Sequence, residues 1–332
     1  MFGIISFTHN LSRLHLWLIT IVLFALFTLP RFNRNTMLVD RPLNDARYFI
    51  AYVEYFRGEV PSDAIRPASN WRLLVPAVAA QLPFAPMTAI NIVNILCLAL
   101  SVVFLFKSLQ ALHIYEPLLW IGCWLFIASF PTFYYTCIGY VDPGALLFIS
   151  MGINATLRNS FFGLLLAMLL GTAAKETIIL LIPFVLGYYW PTNRTKAIGW
   201  TLALTLVFIA ENILIREFVY ITPGERNPAF WSFSTEAIML NVNRLNSYLA
   251  PLLSFGLPGV LWVWALSKTG FHKILQTPIL LASVLMVFAS LGLFGISVVA
   301  TYGDGRMIWP SNYAMIMAGA VLLSPRLNPK IT

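Results

Sequence analysis

Residues 160–190 read SFFGLLLAMLLGTAAKETIILLIPFVLGYYW, an apolar run whose only charges are Lys175 and Glu176 and whose flanks carry Arg158 and Arg194. As one α-helix rising 1.5 Å per residue, the run would be about 46 Å long. The hydrocarbon core of a bilayer is about 30 Å thick and is crossed by about 20 residues. The run is therefore too long for one crossing. Two short helices that return at Lys175-Glu176 leave Arg158 and Arg194 on the same side, and the pair is the preferred reading. It sets the turn at the far face of a membrane, slightly below the surface.

The rest of the chain shares this character. Of 332 residues, 59% are hydrophobic and 10% charged, whereas an average soluble domain carries about 25% charged residues. Water could not dissolve so much apolar surface, so lipid must, and a soluble enzyme is all but excluded. Hydropathy predicts spans at 14–30, 87–106, 116–131, 142–157, 160–174, 177–190, 197–220, 248–266, 276–301 and 306–324. The fold class is all-α: a polytopic transmembrane helix bundle of about ten spans, one transmembrane domain over 1–332. The N-terminal apolar stretch resembles a signal-peptide core but lacks a small-x-small cleavage site, so Leu14 to Pro30 is read as a retained span.

Charge placement gives the orientation. With the N-terminus inside, Arg13, Lys107, Arg158, Arg194, Lys196, Lys268, Lys273, Arg326 and Lys330 fall on the cytoplasmic side, joined by one acid, Glu116. Every other acid except Glu211, which lies within a span, falls on the opposite face. Short loops rich in Lys and Arg stay in the cytoplasm, so both termini are expected there. The same placement explains the net charge of +8, and no Lys/Arg run or aromatic RNA-binding motif points to nucleic acid. Cys97, Cys123 and Cys137 lie in apolar segments and are odd in number, which speaks against a disulfide framework. The four histidines form no metal-ligand spacing. No cofactor is predicted, and a divalent metal is left open.

Segment 31–86 is read as an outer loop. Within it, Leu43 to Arg57 predicts an amphipathic helix with Asn44 as N-cap. Asp45, Tyr48, Tyr52 and Tyr55 share one face; Arg47, Glu54 and Arg57 share another. A second short helix is expected after Trp71, started or kinked by Pro76. Both helices should lie in the interface rather than span.

Ionisable groups at a membrane boundary are costly and often functional. On the outer face these are Asp45, Arg66 and Arg72, Asp142, Lys175 with Glu176, and Arg306. Each has a plainer reading. Asp45 and Asp142 would suit helix N-termini, where a carboxylate meets the positive end of the dipole. Lys175 and Glu176 would mark the wet end of a turn. Arg306 would be a snorkelling anchor, and Arg66 and Arg72 would be headgroup contacts. Glu211 is expected to pair with Asn212 or Arg216. Acids beside cations also suit one reaction. Sugar transfer from a phosphate-linked donor needs a carboxylate to take the acceptor proton and Arg or Lys to stabilise the departing phosphate.

Five short pieces carry a family resemblance: Asn44-Asp45-Ala46-Arg47-Tyr48, Trp71-Arg72-Leu73-Leu74-Val75-Pro76, Tyr140-Val141-Asp142-Pro143, Ala174-Lys175-Glu176-Thr177 and Gly305-Arg306-Met307-Ile308-Trp309-Pro310. In these the chain resembles the GT-C superfamily of polytopic membrane glycosyltransferases. The resemblance implies an enzyme that uses a polyisoprenyl-phosphate sugar, with its active site facing the periplasm or lumen. It implies Asp45 as general base and Asp142 as the second-loop acid, with Lys175, Arg306 and Arg72 at the donor phosphate and Tyr48, Glu176 and Arg66 in support. The chain would be a short member without a soluble C-terminal domain, set in a bacterial inner membrane, its partners a lipid-linked sugar donor and membrane lipids, its acceptor unidentified. Family members often pair acids in the first loop, whereas Asp40 and Asp45 stand apart here.

The rival class is a flippase or transporter for a lipid-linked or anionic substrate. That class is expected to line a path across the bilayer with charge or to carry repeats with broken mid-membrane helices, whereas this chain gathers its acids at one face. An intramembrane peptidase fails on inventory, because Cys137 is near the outer face and every histidine is assigned to the cytoplasm.

Overall fold

The computed structural model describes residues 11–36, 46–62, 72–218, 234–300 and 303–327, which form helices and turns with no strand among them. The first half holds α1 (Arg13–Thr36), α2 (Ala46–Phe56), α3 (Leu74–Ala80), α4 (Pro86–Ala111), α5 (Glu116–Ile127), α6 (Phe130–Tyr135) and α7 (Asp142–Leu157). Then come α8 (Phe161–Ala174), a 3-10 turn (Glu176–Leu180) leading into α9 (Leu181–Tyr189), α10 (Arg194–Phe218), α11 (Thr235–Val242) and α12 (Asn246–Ser267). The chain ends with α13 (Phe271–Gln276), α14 (Pro278–Ala300), a 3-10 turn (Gly305–Met307) and α15 (Ser311–Leu327). Pro86, Pro117, Pro131 and Pro143 sit in the first turns of α4 to α7, where a missing N–H breaks no helical bond.

Among the described residues, five helices are long and apolar enough to cross a membrane: Arg13–Arg34, Pro86–Ala111, Arg194–Ile215, Asn246–Ser267 and Pro278–Ala300. Their outer faces are apolar. Leu14, Leu18, Ile21, Val22, Leu26 and Leu29 are exposed along α1 at helical spacing, as are Ile198, Leu202, Leu206, Ile209 and Ile213 along α10. Polar side chains turn inward instead, with Asn91, Asn94, Ser101, Ser150 and Asn312 fully buried. Such a distribution suits lipid as the surrounding solvent.

The return at Lys175 is present. Lys175 takes an extended backbone conformation (φ −171°, ψ 142°) that ends α8. Its side chain pairs with Asp142 at the start of α7, while Tyr189 at the end of α9 donates to the Thr156 carbonyl at the other end of α7 (2.8 Å). The Trp200 ring lies 5.0 Å from both Phe161 and Tyr189. α8 therefore runs away from that end of the bundle and α9 runs back to it.

One expectation is corrected, and a second is met by only half its test. The stretch 116–131 is two helices, α5 and α6, parted at Ala128-Ser129. Pro131 has no N–H to give the Ile127 carbonyl, and its ring would crowd that turn; Ser129 and Thr132 hydroxyls donate instead to the Phe126 carbonyl, each at 2.8 Å. Glu211 does not pair with Asn212, whose amide donates back to the Phe208 carbonyl (2.8 Å). One Glu211 carboxylate oxygen is buried with no hydrogen-bond partner, and the Arg216 side chain lies outside the described residues.

The first-loop helix is α2, with Phe49 and Val53 buried against α3 and α4 and Tyr52 buried beside Phe56. Arg57, just past its end, donates to the carbonyls of Leu82 (2.8 Å) and Phe84 (2.7 Å), which ties α2 to the turn after α3. Pro76 stands in the first turn of α3.

Candidate active site

The site is built on a turn that α4 holds in place. Asn91 and Asn94, one helical turn apart, point from α4 at residues 136–140. Asn91 Oδ1 accepts the Gly139 N–H (3.1 Å), and Asn94 Nδ2 donates to the carbonyls of Thr136 (3.1 Å) and Tyr140 (2.5 Å). Gly139 is required there twice over. Its φ is +78°, and a Cβ would fall 2.7 Å from Met87 Sδ and 2.8 Å from the Ala46 Cβ. Forcing in a methyl costs about 1–3 kcal/mol, before the left-handed backbone adds roughly 1–2 more. Gly139→Ala should therefore lower the melting temperature by several degrees and reduce activity. A variant that melts like wild type would show that this turn is not held as tightly as its contacts indicate.

Around that turn, four separate segments bring three cations and three acids together. Arg72, just ahead of α3, grips Glu176 in a two-bond fork through one edge of its guanidinium (Nη2–Oε1 2.5 Å, Nε–Oε2 3.0 Å). Lys175 Nζ bonds Asp142 Oδ1. Arg306 Nε bonds Asp304 Oδ2 at 2.6 Å, its Nη1 stands 3.9 Å from Asp142 Oδ2, and its guanidinium lies 4.3 Å from the Tyr140 ring centre. Asp304 also accepts the Arg306 backbone N–H (2.8 Å), which caps the 3-10 turn.

The energetics follow from burial. Only 1% of the Lys175 side chain and 7% of Asp142 are exposed, and charges so placed persist only in pairs. Lys175 is thus not the wet end of a turn, because α7 covers it. Asp142 does open α7, as an acid at a helix N-terminus would, but Val141 is the N-cap and the Asp142 carboxylate turns to Lys175. Arg72 is the ion-pair partner of Glu176. Burial alone would raise the Glu176 carboxyl, but the Arg72 guanidinium outweighs it and holds the group at about 2.

Beside the cluster lies a cavity of about 350 Å³, lined by Tyr134, Tyr135, Tyr140, Arg244, Asn246 and Asp304, with Leu249 and Leu253 on its apolar side. Arg306 touches it through Asp304 and Tyr140.

Of the residues singled out in the sequence, Arg72, Asp142, Lys175, Glu176 and Arg306 come together here. Tyr48 is half-buried beside Arg47, which donates to its hydroxyl at 2.6 Å. Asp45 and Arg66 lie outside the described residues. Ala46, the residue after Asp45, is fully buried against Gly139. Sequence reasoning missed Asp304, Tyr140, Arg244 and the two braces Asn91 and Asn94. The asparagines carried a signal, being two amides three residues apart in an otherwise apolar span. No group of three or more His, Cys, Asp or Glu that could hold a metal ion occurs among the described residues. Compared with protein-family models, with curated protein sequences and with solved structures, the chain matches none of them.

Proposed function

We propose that the chain is a membrane glycosyltransferase that moves a sugar from a polyisoprenyl-phosphate donor to an acceptor at the periplasmic face of a bacterial inner membrane. The observation that carries this reading is the cluster of Arg72, Lys175 and Arg306 with their three acids, next to a cavity large enough for a small ligand. A departing isoprenyl phosphate is an anion, and arginine binds phosphate through two parallel N–H bonds. Arg72 and Arg306, with 12% and 13% of their side chains exposed, are the cations a phosphate can reach. Lys175 acts behind them by holding Asp142. With Lys175 on one carboxylate oxygen and Arg306 beside the other, Asp142 is already engaged, which leaves the acceptor proton to Asp45. The burial of Ala46 against Gly139 supports that assignment, since it ties the start of α2 to the turn that leads into Asp142.

Asp45→Asn is the test. An amide cannot take the proton, so transfer from a panel of polyisoprenyl-phosphate hexoses and pentoses should fall by about 100-fold or more, with donor binding retained. Near-normal turnover would remove Asp45 as base. Movement of the donor across proteoliposome membranes, with no transfer by wild type, would put the flippase reading in place of this one.

A further inference from the structure

We infer that Arg31, near the outer end of α1, binds the phosphate of a lipid beside the cavity. The inference rests on the transfer reading above and adds a cation that the cluster does not contain. It starts from charge. Arg72, Lys175 and Arg306 are matched by Glu176, Asp142 and Asp304, so the cluster as a whole is neutral. It can orient a phosphate but has no surplus charge with which to attract one. Arg31 is different. Among the described residues no acid is paired with it, and its Nε is buried with no hydrogen-bond partner. Its guanidinium rests instead on two rings of α6, 4.4 Å from the centre of Tyr134 and 5.4 Å from that of Phe133. Ring faces attract a cation, but they carry no net charge and do not neutralise it. Arg31 is only half-buried, so its positive charge remains within reach of an anion.

The direction of the side chain argues against a plain membrane anchor. The lipid-facing stripe of α1 runs through Leu18, Val22, Leu26 and Leu29. Arg31 shares another face with Phe27 and Thr28, where Phe27 meets the Phe133 ring edge-on (6.4 Å) and the Thr28 carbonyl accepts from Cys137 Sγ (3.8 Å). A snorkelling arginine extends its head away from the protein, whereas this one lies back on α6. It stands near the end of the Arg13–Arg34 span, at the depth of lipid phosphates, which favours a lipid over a soluble anion. The cavity links the two cationic places, because Tyr134, against Arg31, and Tyr140, against Arg306, both line it. A partly buried charge without a counter-ion is costly, and a phosphate would offset that cost through the planar guanidinium fork.

The test is lipid binding to the full chain in maltoside micelles, which contain no phosphate, read by native mass spectrometry with farnesyl phosphate and phosphatidylglycerol as probes. Farnesyl phosphate should bind wild type, and Arg31→Gln should weaken it by about 10- to 150-fold. Arg31→Lys, which keeps the charge and loses the fork, should fall between the two. Without lipid, Arg31→Gln should melt within a few degrees of wild type, because it removes a charge that no acid balances. Farnesyl phosphate bound equally well by wild type and both variants would overturn the inference, and a fall in melting temperature beside it would make Arg31 an anchor only. The two probes identify the source of the phosphate. Preference for farnesyl phosphate makes it the donor's, while equal and Arg31-dependent binding of phosphatidylglycerol makes it a membrane phospholipid's. Sugar transfer by a chain whose lipid binding ignores Arg31 would sink only this seat. Arg31-dependent binding without transfer from any polyisoprenyl-phosphate sugar would instead keep the seat and remove the transfer reading.

Discussion

Replacing Lys175 by methionine should destabilise the protein by about 3–5 kcal/mol, and adding Asp142→Asn to the same chain should recover most of that loss. The size follows from burial. Lys175 is 1% exposed and Asp142 7%, and removing one member of such a pair leaves the other as an uncompensated charge in a poorly polarisable interior. The asparagine in the double variant carries no charge and keeps an oxygen for Arg306. Equilibrium unfolding in mixed micelles would read both effects. A single variant as stable as wild type would mean that water reaches Asp142. A double variant as unstable as the single one would mean that Lys175 does more than balance Asp142.

Arg306→Ala should slow transfer from a polyisoprenyl-phosphate sugar by roughly ten- to a hundred-and-fifty-fold. Hydrogen bonds to charged groups are worth about 1.5–3 kcal/mol, and about 1.4 kcal/mol is a factor of ten. Arg306→Lys should rescue only part of this. The native guanidinium bonds Asp304, faces Asp142 and covers the Tyr140 ring at once, whereas an ammonium is a single point charge without the planar fork. The measurement is initial rate per folded molecule, with melting temperature recorded beside it. If Arg306 only anchors the start of α15, stability will fall while specific activity stays at the wild-type value, and the phosphate assignment will be wrong.

Much of this arrangement could be read before the structure. The hairpin of α8 and α9 follows from the length of the 160–190 run and the two charges at its middle. Arg72, Asp142, Lys175, Glu176 and Arg306 were marked by the cost of charge at a membrane boundary, a local property that the sequence displays. Their pairing was not legible. Whether Lys175 is wet or buried depends on where α7 lies, and Arg72 finds Glu176 across 104 residues. Asp304 looked like an ordinary loop acid until its bond to Arg306 placed it in a cavity wall. The break before α6 was foreseeable from Pro131, but hydropathy averages over such a residue. For Glu211, the Asn212 amide turns back to its own helix instead, and the Arg216 side chain lies outside the described residues.

The Lys175-Glu176 turn also bears on how the chain is made. Both partners of that turn, Asp142 and Arg72, precede it in the sequence, so the ribosome has delivered them before the turn emerges. A hairpin with two charges at its tip need not bury them unescorted, because waiting counter-charges can receive them as they arrive. Arg306 comes long afterwards and joins an assembly that is already neutral. A chain interrupted before residue 300 would therefore still hold a balanced tip, whereas one assembled in the reverse order would not.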